Sequence, residues 1–435
     1  MMIIVDKGRA WIIAFSSFWT MLTVLGIHRS SGVLFTSMMN DYNVSRESAA
    51  WPFYLRKTVG FLSANLVGFI NGYFSMKCQM FVGLLLSAVA MFALYFVDDI
   101  LSITLIFGIL YGVGSGIVMM CNLISINKFF SKYRTVAQGI SLAGNSTGAF
   151  ILPPLIEYFI DNYGLRGTYL MLTGVVLQGF IVVMMYEDSP YQKPENLTEL
   201  SISESIERNL KERPSSNESD TKISKQLRKT CLYIFKCPMF HVIWITYTTF
   251  DFVFQTFLTV IIDHGADCGI NEHKAVYFLS ALSVVELIGR LGGGWIVDFQ
   301  LIKRKNIIRI SFMLYAMIYI SLPFLHTYVI MIVLTALIGL IGSSVTINGS
   351  ALFADYVGLE NLPMALGFSA SLTGLIGLIT PRIIGHIRDT TGSYNLLFFI
   401  FGAASLFVTL MWMAEPLFVM LQLKIHRKPY TINCA

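Results

Sequence analysis

Apolar runs of bilayer length recur twelve times along this chain, near Ala10–Leu34, Ala50–Phe74, Gln79–Val97, Leu101–Ile126, Val136–Ile160, Thr168–Tyr186, Met239–Ile262, Ala275–Phe299, Ile307–Leu325, Tyr328–Phe353, Leu362–His386 and Leu396–Leu421. A hydrocarbon core takes about 20 apolar residues per helical crossing. Within it every backbone amide and carbonyl must find a partner in its own segment, so runs of this length cross as helices. Only 13% of the 435 residues are charged, roughly half the share of a water-soluble domain. The expectation is an all-α membrane protein with twelve transmembrane helices.

The only long polar segment is Glu187–Lys236, rich in Ser, Glu, Lys and Asn. It has too little apolar surface to fold alone, and reads as a disordered cytosolic linker. The chain therefore divides into a six-helix half at 1–186, the linker at 187–236, a second six-helix half at 237–423 and a tail at 424–435. Two similar six-helix halves are the layout of a secondary transporter. The first run lacks the short core and small-residue cleavage site of a signal peptide, so it is expected to stay in the protein.

Orientation follows from the basic residues of the short loops. With the N-terminus inside, Lys7, Arg9, Lys77, Lys128, Lys132, Arg134, Lys303, Arg304, Lys305, Lys424, Arg427 and Lys428 fall in the cytosol, whereas the opposite side keeps Arg46, Arg166, Lys274 and Arg388. Both termini are then cytosolic. The net charge of +5 expresses this topology and gives no sign of a nucleic-acid partner. Of four sequons, Asn43 lies outside, Asn196 and Asn217 lie in the linker, and Asn145 lies within a helix; the linker is expected to be unglycosylated. The six cysteines have neither metal-ligand nor disulfide spacing.

Glu286 and Arg290 break the eighth run at helical spacing, which sets both on one face. Ionisable groups at such depth are costly, and they face a bundle interior or a solute pathway. Glycines stud the fourth run at Gly112, Gly114 and Gly116, and the fifth at Gly139, Gly144 and Gly148. Small residues let helix backbones approach closely in lipid, so these are packing surfaces.

Several stretches, in order, resemble the monocarboxylate transporter family of the major facilitator superfamily. The start Asp6-Lys-Gly-Arg-Ala-Trp11 is similar to a degraded form of the family's opening motif. Asn127-Lys-Phe-Phe-Ser-Lys-Tyr-Arg134, followed by Ala137, Gly139, Ala143-Gly144 and Pro153-Pro154, resembles the fourth-to-fifth-helix signature. Gly374-Leu-Ile-Gly-Leu-Ile-Thr-Pro381, continuing through Gly385 to Asp389-Thr-Thr-Gly-Ser-Tyr394, resembles the eleventh helix and its turn. Gly294-Trp-Ile-Val-Asp298 before Lys303-Arg304-Lys305 is similar to the superfamily's cytoplasmic loop motif. The second run departs from the family, with Asn65-Leu-Val-Gly68 where a Gly-Pro is usual and with Arg56-Lys57 in its outer part. The resemblance implies the major facilitator fold.

It also implies roles. Arg29 stands where the family has a substrate-side lysine; a guanidinium can hold a carboxylate but cannot readily pass on a proton. Glu286 and Arg290 match an acid–arginine pair implied to couple protons and bind anion. Arg290 favours the ionised carboxylate, and a substrate that draws Arg290 away favours proton uptake. A static ion pair is the structural alternative. By helix rise, Arg29 lies ~10 Å towards the outside of the first helix's midpoint and Arg290 ~5 Å to the cytosolic side of its own. They are therefore expected to engage a small acid in succession.

Asp251 is a second proton-carrier candidate, with a polar packing contact as the equal alternative. Arg134 and Asp298 are candidates for a cytoplasmic gate. Asn348, within Gly342-Ser-Ser-Val-Thr-Ile-Asn-Gly-Ser350, is a candidate substrate contact in a roomy, hydrogen-bonding pocket; the alternative is helix–helix contact. His28 points about 100° from Arg29 and reads as packing. Arg56 reads either as vestibule charge or as surface.

Together these features describe a plasma-membrane transporter of a small organic monocarboxylate, coupled to protons or acting by facilitated diffusion. Its partners are the acid, the proton and the bilayer, and the resemblance raises a single-span glycoprotein chaperone as another. Two other readings stay open: a proton-independent carrier of an amino-acid-like or aromatic solute, and a non-transporting sensor. Neither cofactor nor metal is implied. The runs hold no paired-histidine motif, nucleophile elbow or paired catalytic carboxylates of an enzyme.

Overall fold

The structure, a computed structural model, describes residues 8–42, 44, 46–70, 74–185, 230–270, 272–377 and 379–425. Most of the linker, the sequons at Asn43, Asn196 and Asn217, the opening acidic residue Asp6 and the last ten residues lie outside these. The described residues are overwhelmingly helical and contain no strand.

Among the described residues, ten helical segments are long and apolar enough to cross a bilayer. One of them, Arg134–Met184, is two rods rather than one. At Gly164 the backbone takes φ 67° and ψ 175°, a left-handed, extended geometry that reverses the chain. Only glycine enters that region without a Cβ penalty. The arms 134–163 and 165–184 correspond to the fifth and sixth runs. Arg46–Ile70, 25 residues long, is the second helix and is less apolar than most others because it carries Arg56 and Lys57. Residues 230–236, counted with the linker in the sequence, are helical, and Ile234 is fully buried in the core.

The outward faces are apolar. Leu101, Ile181, Met184, Leu301 and Leu417 are each about two-thirds exposed or more, a surface suited to lipid rather than water. Within the bundle, small residues set the spacing, as hydrophobic burial gives little driving force between helices in lipid. A methyl group on Gly112 would meet the Arg56 carbonyl oxygen at 3.1 Å, so the fourth helix lies almost backbone to backbone on the second. A methyl on Gly139 would run into the Arg290 carbonyl, and this tight crossing joins the two halves through the fifth and eighth helices. Asn65 donates to Ser371 Oγ at 2.6 Å where the second and eleventh helices cross, a further contact between the halves.

The first helix is irregular where it reaches the middle of the bundle. Met21–Leu25 is a π-helical turn, followed by Gly26–Arg29 and a break at Ser30 before Ser31–Tyr42. A π turn inserts an extra residue and so turns every later side chain by about 100° from the regular helical count. The aim of Arg29 follows from that irregularity.

Candidate functional site

Between the two halves lies a cavity of about 330 Å³. Four cationic side chains face it, Arg29, Arg56, Lys57 and Arg290, against two acids, Asp251 and Glu286. Most of the remaining wall is apolar, with an aromatic and thioether share that includes Phe61, Met120, Tyr247, Phe250 and Phe254. The space thus offers a positively biased polar region and an apolar region, the pairing that an organic anion with a carbon skeleton requires.

Glu286 is the centre of the polar region and is only 1% exposed. Its Oε1 accepts from Arg290 Nη2 at 2.5 Å, one helical turn away. Its Oε2 accepts from Arg29 Nη2 at 2.7 Å, from the opposite half of the protein. Helix rise alone places the two arginines too far apart for simultaneous contact. The structure corrects that expectation: the long guanidinium stems span the gap, and Glu286, one helical turn from Arg290, lies between them. Arg290 also donates from Nη1 to the Leu142 carbonyl at 2.8 Å and to Ser146 Oγ at 2.6 Å on the fifth helix. Burying a carboxylate with two guanidiniums leaves one positive charge in excess.

Asp251 also faces the cavity, and its Oδ2 lies 3.2 Å from Lys57 Nζ across the interface between halves. Nothing in the sequence pointed to that partner. Asn348 does not face the cavity. It is fully buried, and its Nδ2 donates to the Ser344 carbonyl of its own helix at 2.7 Å. The neighbours Thr346, Gly349 and Ser350 line the space instead, because successive residues on a helix point about 100° apart.

Arg134 and Asp298 gather at the bundle end that carries the basic loops. Asp298 accepts from the backbone amides of Thr135 at 3.2 Å and Val136 at 2.7 Å, at the start of the fifth helix. An acid there satisfies otherwise orphaned amides and meets the positive end of the helix dipole. Arg134 pairs with Asp355 of the other half at 3.2 Å. Arg304 holds the second Asp355 oxygen at 2.8 Å and also donates across the interface to Thr135 Oγ1 at 3.2 Å. The Asp298, Arg134 and Thr135 contacts join one half to the other, so together they hold that end of the cavity shut. At the opposite end, Arg166 pairs with Asp98, and Arg388 with Asp267, each within one half.

Three residues have a larger part in the cavity than their sequence context suggests. His28, which reads as packing in the sequence, lines the cavity with its Nδ1 buried and without a partner among the described residues. Arg56, which in the sequence fits vestibule or surface equally, is 4% exposed and lies on the cavity wall. Asn145, noted only as a sequon, also lines the cavity, with its Oδ1 buried and without a partner among the described residues. A charged residue inside a run of bilayer length was the available signal for Arg56.

The family model of the Major Facilitator Superfamily matches residues 10–329 and 243–420. The chain belongs to that superfamily, and its relatives are transporters rather than enzymes. They bear out the resemblance to monocarboxylate transporters. Monocarboxylate transporter 12 of Mus musculus is 23% identical, over 93% of this chain and 85% of the relative. Monocarboxylate transporter 14 of Homo sapiens is 24% identical, over 96% and 91%. Among solved structures, the proton:xylose symporter XylE superposes with a TM-score of 0.68 at 13% identity, covering 93% of this chain and 94% of that one. FucP in the outward conformation gives 0.65 at 14% identity, covering 92% and 97%. At such identities the structural likeness establishes the fold, a multi-pass bundle of the major facilitator type.

Proposed function

We propose that this protein carries a small organic monocarboxylate across the plasma membrane together with a proton, by alternating access, with both termini in the cytosol. The observation that carries the reading is Glu286 held between Arg29 of one half and Arg290 of the other, on the wall of a positively biased cavity. Protonating Glu286 removes the negative charge that both arginines share. A substrate carboxylate entering at that moment supplies it again. One carboxylate replaces another, the charge of the site is unchanged, and proton and acid travel as a neutral pair. Because an unpaired charge deep in the bundle is costly, neither traveller is well accommodated alone between Arg29 and Arg290.

The same exchange couples occupancy to the halves. Arg29 meets Glu286 only while the halves are close, so substituting a movable carboxylate for a fixed one loosens a cross-half tie. The bonds that Asp298, Arg134 and Arg304 make to the facing half are the second set that must break for the basic end to open. The names of the monocarboxylate relatives support the substrate class. Uptake of labelled acids into proteoliposomes at several pH values, comparing wild type with Glu286→Gln and Arg290→Ala, tests the proposal. Unchanged uptake in both variants excludes this site.

A second reading rests on the Lys57–Asp251 pair beside an aromatic wall. Charges of both signs next to Tyr247, Phe250 and Phe254 suit a zwitterionic or aromatic solute carried without protons. Uptake of an aromatic amino acid that ignores pH, with no uptake of simple acids, favours that alternative.

A further inference from the structure

We infer that Arg56 is the first seat of the incoming carboxylate, engaged before the acid reaches Arg29 and Arg290. This rests on the reading of the cavity as an organic-anion site. Three of the four cations facing the cavity are already taken. Arg29 and Arg290 both hold Glu286, at 2.7 and 2.5 Å, and Lys57 holds Asp251 at 3.2 Å. Arg56 has no carboxylate partner among the described residues. Its Nη1 reaches Ser115 Oγ only at 3.5 Å, a weak contact, and its buried Nε has no partner.

A guanidinium that is 4% exposed and lacks a counter-charge is a destabilising feature of the fold. Packing does not call for it. The tight contact between the second and fourth helices at this level is made by the Arg56 backbone against Gly112, and so is independent of the side chain. The side chain instead faces the cavity, which is lined beside it by Ser115, Phe61 and Met120. An acid can therefore dock its carboxylate on Arg56 and its carbon skeleton on the apolar wall while Glu286 stays ionised. Transfer to Arg29 and Arg290 follows once Glu286 takes up its proton.

Thermal denaturation of the purified full chain tests this, with phenylacetate and pyruvate as probes and their amides as neutral controls. Wild type should be stabilised by the acids and not by the amides. Arg56→Gln should bind the acids about tenfold or more weakly, the loss expected for one charge-assisted contact. Arg56→Lys should recover part of that affinity. The ligand-free midpoint of Arg56→Gln should equal or exceed that of wild type, since a buried unpaired charge has been removed. Undiminished acid binding in Arg56→Gln overturns the assignment and leaves the anion cavity standing. A ligand-free midpoint clearly below wild type also overturns it, by making Arg56 structural. If neither acid outperforms its amide in wild type, the anion cavity itself is wrong and the inference falls with it.

Discussion

Arg29 and Glu286, 257 positions apart, meet at 2.7 Å across the interface between the two halves. The pair joins the first helix to the eighth at the wall of the central cavity. It is at once part of the cavity wall and a tie between the two halves. Removing one member of such a buried pair leaves the other without compensation, and that penalty outweighs the value of the contact itself.

Glu286→Gln should therefore have two effects. Uptake, which in wild type should quicken as the outside is acidified, should become flat with pH, because no proton acceptor remains between the arginines. Folding should weaken by about 3–5 kcal/mol, since Arg29 and Arg290 are left facing each other. Proteoliposome uptake across a pH series and thermal denaturation check the two separately.

Arg29→Lys and Arg29→Gln should separate charge from shape. Lysine keeps the positive charge on a shorter donor set and should retain partial uptake. Glutamine removes the charge and should cut affinity by about tenfold or more, the scale of one charged hydrogen bond. Competition with unlabelled acid in the uptake assay measures both.

Asp298→Ala should open the basic end of the cavity. It strips the acceptor from the Thr135 and Val136 amides, a loss of about 0.5–2 kcal/mol for an N-terminal cap. The closed arrangement should be less populated. A cysteine introduced at Thr346, which lines the cavity, should then react faster with a membrane-impermeant thiol reagent applied to that side.

Gly139→Ala should be more damaging than its size suggests. The added methyl collides with the Arg290 carbonyl, a backbone atom that cannot swing aside. Overpacking of this kind costs about 1–3 kcal/mol. Uptake should fall and the cross-half contacts should loosen, seen as faster labelling of the same cysteine at Thr346.

Asn348→Ala should leave substrate affinity unchanged, because the side chain bonds Ser344 of its own helix and stays off the cavity wall. Stability should drop by about 1 kcal/mol, the value of one internal hydrogen bond. A large change in affinity with unchanged stability would return Asn348 to the binding site.

The fold was legible because bilayer-length apolar runs are a one-dimensional signal. The same local logic put Glu286 and Arg290 on one face, since spacing of four residues closes a helical turn. It failed at Asn348, where the run of small and polar residues around it marked a lining stretch without saying which of its residues faces inward. Rotation about a helix axis is settled by the neighbouring helices.

By itself, then, the chain determined how many apolar segments it offers, where a polar segment divides them and which charges are carried into the bilayer's depth. Tertiary structure decided which of those charges meet. Arg29 reaches Glu286 because a π turn re-aims the end of the first helix and because the fifth and eighth helices close at Gly139. Lys57 reaches Asp251 by the same approach of the halves, while Arg56, its neighbour in sequence, is left without an acid. Contacts between distant segments depend on helix rotation and separation to within about an ångström, and no local periodicity encodes either quantity.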